Sequence, residues 1–353
     1  MSDADVILEV PSEWFDNPLD RDRHQRLYAS LLVALAELSV TVRPIRLPYA
    51  ADGAERLHAH GQLVISFHSH GDDGNLLRFK ESYVPPYYTA DPMGYSGFSK
   101  LANEPERFRH EIERVPLKTA EHFVAELRQT LVRRNASKYA QPKPEADLPG
   151  GPYLFVPLQT IEDPVAGFAH IDQIDALAIT AAKARARGWS VVAKRHPLCT
   201  ARRIEAGLKE LSRDYGNLHL STGSIHPLIA GAEAVVGCNS GVLFEALVHG
   251  KPVVAYGRSD FRIATWEATT PGELAHALDG LDAVGPAFRA RFVAWYLTTY
   301  CVHAGEVPAI RGRIAEALAA LDIRGNGFNA AQLDLYDHYA AIERARRNEI
   351  LNS

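Results

Sequence analysis

Asn239-Ser240-Gly241 stands between an apolar run, Ala234 to Gly237, and a stretch that sets Phe244, Leu247 and Val248 on one helical face. A buried parallel strand leading into a capped helix is the reading, with Asn239 and Ser240 supplying N-cap oxygens. The unpaired amides of such a helix start attract anions, and Gly241 lets a ligand approach the backbone. Glu245, about one turn further on the same side, can accept hydrogen bonds from a ribose or sugar hydroxyl. Gly250 ends the helix before Lys251-Pro252 opens another strand. A second cluster, Lys194-Arg195-His196-Pro197, directly follows the strand-like Ser190 to Ala193. Its two cations and an imidazole fixed by the following proline suit a nucleotide phosphate. A third, Gln159-Thr160-Ile161-Glu162-Asp163, follows the strand Tyr153 to Val156, making Asp163 a candidate catalytic carboxylate, with a capping or solvated loop acid the alternative. Three polar clusters at the carboxyl ends of strands are expected to face one crevice.

In order and spacing, PLQ followed by an acid, then KRHP, then NSGVLFEALVHGKPVVAYG resembles the bacterial capsule and O-antigen transferases that move β-Kdo from CMP-Kdo. The resemblance covers roughly residues 153–261. It implies a nucleophilic acid four residues after the glutamine, here Asp163, acting in a retaining double displacement. It aligns the family's His-Pro histidine, shared with related sialyltransferases, with His196, and the phosphate turn with Asn239-Ser240-Gly241. Pro164 departs from the small polar residue expected after the nucleophile. The implied chemistry suits these residue types. The anomeric carbon of Kdo is tertiary and sits beside a carboxylate, so its transition state resembles an oxocarbenium ion that an aspartate can trap. His196, Lys194 and the helix start at Ser240 would neutralise departing CMP, so that no metal ion or other cofactor is expected. In a GT-B carboxyl domain the turn at Ser221 to Pro227 lies near the nucleoside. Thr222 to Ile225 would then contact cytosine, with Ser224 as a helix cap and His226 as local packing.

Acceptor-side candidates lie in the first half of the chain. Val64 to Phe67 reads as a strand entering a turn with His68 and His70, two histidines without a convincing third metal ligand and more suited to hydrogen-bonding a sugar. The stretch from Phe79 to Phe98 is rich in aromatics and glycine without helical periodicity and reads as a long loop over substrate, with Tyr87 and Tyr95 stacking on sugar faces. Glu81 or Asp91 would be the base that activates the acceptor hydroxyl, and the residues do not choose between them.

These clusters need scaffolds. Strands at Val6 to Glu9, Thr41 to Arg46 and Leu63 to Phe67, with helices at Arg26 to Leu38 and through Ala120, Phe123, Val124, Leu127 and Leu131, make the first half α/β. Five strands alternate with helices in the second half: Tyr153 to Val156, Ser190 to Ala193, Leu218 to Leu220, Ala234 to Gly237 and Pro252 to Tyr256. The proline, glycine and charge of 137–152 read as a hinge. The expected fold is therefore α/β and GT-B-like, two Rossmann-like domains facing a cleft. An acceptor-side domain spans 1–147, a CMP-sugar domain spans 148–325, and a helix over 326–353 returns toward the first domain. Arg344, Arg346 and Arg347 on that helix read as a solvated face, with anionic lipid the alternative.

With 353 residues, 46% of them hydrophobic, the chain can fill two cores, and a net charge of -5 argues against a nucleic-acid partner. Three cysteines without metal-ligand spacing suit a reducing compartment. No signal peptide or membrane-spanning run is read, so the cytoplasm is expected, with peripheral association at the inner membrane or with other glycan-assembly enzymes left open. The Asp3/Asp5 and Asp20/Asp22 pairs read as solvated or capping acids. The expected partners are a CMP-sugar and a glycan acceptor, lipid-linked ones included. The rivals are another CMP or CDP enzyme, a sialyltransferase or polyol-phosphate transferase, and a catalytically silent nucleotide-sugar-binding subunit.

Overall fold

The computed structural model describes residues 4–12, 18–47, 61–143, 148–324 and 342. By contact the chain divides into two compact units, 1–65 with 305–353, and 66–304. This division differs from the boundary expected near residue 147, and the hinge segment falls inside the second unit. The helix expected over 326–353, with its arginines, lies outside the described residues.

In the first unit, β1 (Val6–Pro11) pairs in parallel with β2 (Val42–Leu47) and with the start of β3 (Leu63–Phe67). The helix Pro18–Glu37 connects β1 to β2, burying Leu27, Tyr28, Leu31, Ala34 and Leu35 at the three- and four-residue spacing of one helical face. The helix Val307–Ala320 packs against it through Ile310, Ile314 and Leu318, with Arg311 on Glu37 at 2.7 Å. Asp5 accepts from the Thr41 amide and hydroxyl at 2.7 and 2.8 Å, tying together the starts of β1 and β2 rather than standing solvated or capping a helix. Asp3 and the side chains of Asp20 and Asp22 lie outside the described residues.

The second unit opens with an antiparallel hairpin of β4 (Leu76–Glu81) and β5 (Tyr87–Asp91). The segment expected to be a long loop, Phe79 to Phe98, thus contains the end of β4, all of β5 and the 3-10 turn Ser96–Phe98, with irregular backbone between them. Its two strands are buried at nearly every position, so they show no polar and apolar alternation along the sequence. Helices Pro105–Arg114 and Leu117–Arg134 follow.

A six-stranded parallel sheet then forms from β6 (Tyr153–Pro157), β7 (Ser190–Lys194), β8 (Leu218–Leu220), β9 (Ala234–Gly237), β10 (Val253–Ala255) and β11 (Trp266–Glu267). Its spatial order is β11-β10-β9-β6-β7-β8. Tyr153, Phe155, Val192, Val235 and Val253 point to one face, onto the helices Ile225–Gly231, Gly241–Val248 and Pro286–Trp295. Leu154, Val156, Val191, Ala193 and Val236 point to the other, with residues of the helices Gln173–Ala186, Arg202–Asp214 and Pro271–Gly280. Burial on both faces accounts for the unbroken apolar runs. The last two strands were not anticipated: β11, and β12 (Cys301–His303), which pairs antiparallel with β5.

Candidate active site

From β6 the chain builds outward through β7 to β8, then returns to lay β9 on the other side of β6. The connections after β6 and β9 therefore diverge, and ligands of open α/β sheets bind at such a switch point. These are the connections that carry Gln159 to Asp163 and Asn239 to Gly241.

The two are tied together. The Asn239 amide donates to Gln159 Oε1 at 3.4 Å, and Gln159 is itself fixed by backbone exchange with the buried Gln173 side chain at 3.2 and 3.3 Å. Asn239 Nδ2 donates to the carbonyls of Val165 at 2.8 Å and Arg258 at 3.1 Å. Asn239 is thus a buried clasp rather than a ligand presented to solvent. Ser240 caps the helix Gly241–Val248, accepting from the Val242 amide at 3.4 Å, as its spacing predicts. A Cβ on Gly241 would lie 3.3 Å from the Tyr83 ring, a tight contact that a small shift of the ring would have to relieve.

Asp163 is exposed and caps the short 3-10 helix Pro164–Phe168, one oxygen accepting from the Val165 amide at 3.0 Å. Pro164 sits in the first turn of that helix, where a missing amide hydrogen costs nothing. The capping role and a reactive role coexist, since a carboxylate has a second oxygen. His196 interacts electrostatically with Asp163. Burial depresses the imidazole's proton affinity, Asp163 opposes the effect, and Lys138 reinforces it. Nδ1 accepts from the Leu198 amide at 3.2 Å, so the neutral ring carries its proton on Nε2 and can donate there.

The other cations of this cluster are engaged. Lys194, its proton affinity lowered by burial, donates to the carbonyls of Thr222 at 3.2 Å and of Gly223. Arg195 donates to the Cys199 carbonyl at 2.7 Å and faces Glu205 at 3.7 Å. Lys194 thus anchors the turn at Thr222, and Arg195 braces its own loop. Glu245 is buried, its pKa pushed up to about 8 by burial and restrained by the Ser137 hydroxyl on Oε1 at 2.6 Å. Its Oε2 is buried without a hydrogen-bond partner.

Sequence reasoning missed the cover over these groups. The segment 135–141, of which only the part from Ser137 was read, and that as a hinge, lies across the carboxyl-terminal elements. Ser224 donates to Asn135 Oδ1 at 2.6 Å instead of capping its helix, and Gln141 Oε1 accepts from the Ile225 amide at 3.2 Å. His226 contacts the Ala136 carbonyl at 2.9 Å and His249 at 3.1 Å, the packing role expected of it. Tyr139 meets His196 edge-on, with ring centroids 5.1 Å apart. The density of polar residues after Arg134 was the available signal.

The acceptor-side candidates divide. His68, His70 and Tyr95 gather with Phe98, His70 stacked on Phe98 at 3.7 Å and His68 edge-on to Tyr95 at 5.1 Å. Phe98 meets Phe168 at 4.5 Å, which joins this group to the helix that Asp163 caps. Tyr95 is buried, whereas both histidines are exposed. Tyr87 stands apart, edge-on to His303 at 5.4 Å. Glu81 is buried at the end of β4. Asp91 is buried as well, and its oxygens accept from the amides of Met93 at 2.7 Å, Gly94 at 2.9 Å and Lys100 at 3.0 Å, and from the Tyr300 hydroxyl at 2.6 Å. Burial raises its pKa against those bonds. This is the environment of a loop anchor. Among the described residues no group of three or more His, Cys, Asp or Glu side chains is placed to hold a metal ion, and no helix is long and apolar enough to cross a membrane.

Residues 108–275 match the family of capsule polysaccharide biosynthesis proteins. That span contains Asp163, His196, Ser240 and Glu245. The solved structure of a Thermosulfurimonas dismutans KpsC β-Kdo 2,7 transferase is similar in fold, with a TM-score of 0.50 at 17% identity over 87% of this chain and 99% of that one. A KpsC β-Kdo 2,4 transferase from the same organism gives a TM-score of 0.41 at 14% identity over 80% of this chain and 89% of that one. No curated protein matches the chain significantly. The family match bears out the capsule-biosynthesis side of the resemblance read from the motifs, and the first of these structures is consistent in fold with the expected α/β, GT-B-like architecture.

Proposed function

We propose that the chain is a retaining β-Kdo transferase that takes Kdo from CMP-Kdo in the synthesis of a capsule or lipopolysaccharide glycan. The observation that carries the reading is the convergence at the switch point, where the Gln159–Asn239 clasp holds the Asp163 segment beside the Ser240 helix start and His196 senses the Asp163 charge. In the first displacement the second oxygen of Asp163 attacks the anomeric carbon. The bond to the CMP phosphate oxygen breaks, and that oxygen leaves with the electron pair. The Nε2–H of His196 and the amides at Ser240 meet the growing charge. In the second, the acceptor hydroxyl attacks the same carbon, its proton goes to Glu81, and the Asp163 carboxylate is released. Glu245 accepts from a ribose hydroxyl. Two inversions give retention. Phosphate charge is met by these groups, and the reading calls on no metal.

Intact-protein mass spectrometry in the presence of CMP-Kdo tests it. An adduct of one Kdo in the wild type and none in Asp163→Ala is expected. Turnover of CMP-Kdo by Asp163→Ala at the wild-type rate would dismiss the aspartyl intermediate.

A further inference from the structure

We propose that Arg258 binds the carboxylate of the donor sugar, an inference that rests on the sugar-acid reading above. Arg258 leaves β10 just after Gly257, at the same end of the sheet as Gln159, Lys194 and Asn239. Its backbone is stitched into the site from both sides: its amide donates to the Phe168 carbonyl at 3.1 Å, and its carbonyl accepts from Asn239 Nδ2 at 3.1 Å. Its guanidinium carbon lies 4.3 Å from the centre of the Phe168 ring. Phe168 closes the short helix that Asp163 opens. That ring is itself wedged, for Phe98 meets it at 4.5 Å and a Cβ on Gly97 would lie 2.4 Å from its edge. The guanidinium is therefore held within one short helix of the proposed nucleophile.

What it holds there is charge without a counter-ion. Arg203, Arg262 and Arg289 all have carboxylates at 2.6 Å, and Arg195 faces Glu205. Among the described residues Arg258 has no carboxylate within ion-pair distance, and its Nε is buried without a hydrogen-bond partner. The orphaned Nε is common to Arg195 and Arg289, so what sets the half-buried Arg258 apart from them is the missing carboxylate, which leaves its guanidinium available to an incoming anion. The donor brings two anions. His196 and the Ser240 helix start serve the phosphate. Lys194 is spent on carbonyls, Arg195 faces Glu205, and Lys138 acts on His196 at the phosphate side, whereas Arg258 is the cation held against the helix that Asp163 caps, and its planar fork suits the carboxylate beside the anomeric carbon. Fixing that carboxylate also fixes the face of the anomeric carbon that Asp163 attacks.

Steady-state kinetics of Arg258→Gln and Arg258→Lys with CMP-Kdo, beside titrations with CMP alone, test the assignment. The glutamine variant is expected to lose about 30- to 100-fold in kcat/KM, the range for truncating a charged hydrogen bond, and the lysine variant less, while both keep wild-type CMP affinity and thermal stability. A CMP-sugar analogue with a carboxamide in place of the carboxylate should be a poor donor for the wild type and no poorer for Arg258→Gln. Undiminished kcat/KM in Arg258→Gln, or an equal loss of CMP affinity, would overturn the assignment while leaving the transferase reading intact. Failure of the wild type to turn over CMP-Kdo would remove both together.

Discussion

Aspartates and aromatic residues meet in two regions of the second unit, and only one of them leaves an acid open. At the end of β6, Asp163 is exposed and gives one oxygen to a backbone amide. At the junction between the hairpin and the helix ending at Trp295, Asp260 is fully buried and accepts from the hydroxyls of Tyr83 at 2.6 Å and Tyr296 at 2.8 Å, and Asp91 is taken up by Tyr300 and three amides. Burial lifts Asp260 to about pKa 6 and raises all three tyrosines well above their ordinary range. The residue types match, but their consequences do not. An acid with its oxygens saturated by donors holds elements together, whereas one with an oxygen to spare beside an imidazole can react.

Substitutions should separate the two regions. Asp163→Ala is expected to lower kcat by about 10³-fold or more with folding and CMP affinity retained. Kinetics together with calorimetric titration check this, and a large fall in stability would move Asp163 to the structural side. His196→Ala should cost about 10²-fold in kcat, the lower end for a lost proton donor, and unchanged kinetics would break the pairing with Asp163. Asp260→Ala should do the reverse. Leaving two buried hydroxyls unpaired costs about 3 kcal/mol, read from denaturant unfolding, while the protein that remains folded turns over normally.

The smallest effect concerns pH. Glu245, raised from the ordinary 4.5 to about 8, binds a proton more tightly folded than unfolded. Its stabilising contribution is complete below the unfolded pKa and is lost as pH rises through the folded one. Glu245→Gln should therefore flatten the decline in Tm between about pH 5 and 8 relative to wild type, and parallel profiles would show that the acid stays charged in the fold.

Much of the sheet at the site was legible, and the reason is local. β6, β7, β9 and β10 are covered on both faces and announce themselves as apolar runs, whereas the short edge strand β8 keeps only Leu218 buried. A helix cap such as Ser240 is a property of neighbouring residues. What could not be read depends on partners far along the chain. Asn239 carries the side-chain chemistry of a cap, yet it works as a clasp between residues 165 and 258. Lys194 reads as a phosphate cation until Thr222 and Gly223 are seen to hold it. Tyr83 to Tyr95 looked like a loop because its aromatics answer to Asp260, Phe244 and His303, none of them within a sequence window.

The strap from Asn135 to Gln141 bears on how the molecule can be dissected. A fragment begun at Gly150, the natural choice for a stand-alone nucleotide half, would strip Gln141 from the Ile225 amide, Ser137 from Glu245 and Tyr139 from His196. Such a half would expose a bare amide at Ile225 and strip Glu245 of the one hydrogen bond its carboxyl makes in the whole protein. Donor binding measured on it would describe a different surface, and severing the strap while keeping both halves should be as informative as any point substitution.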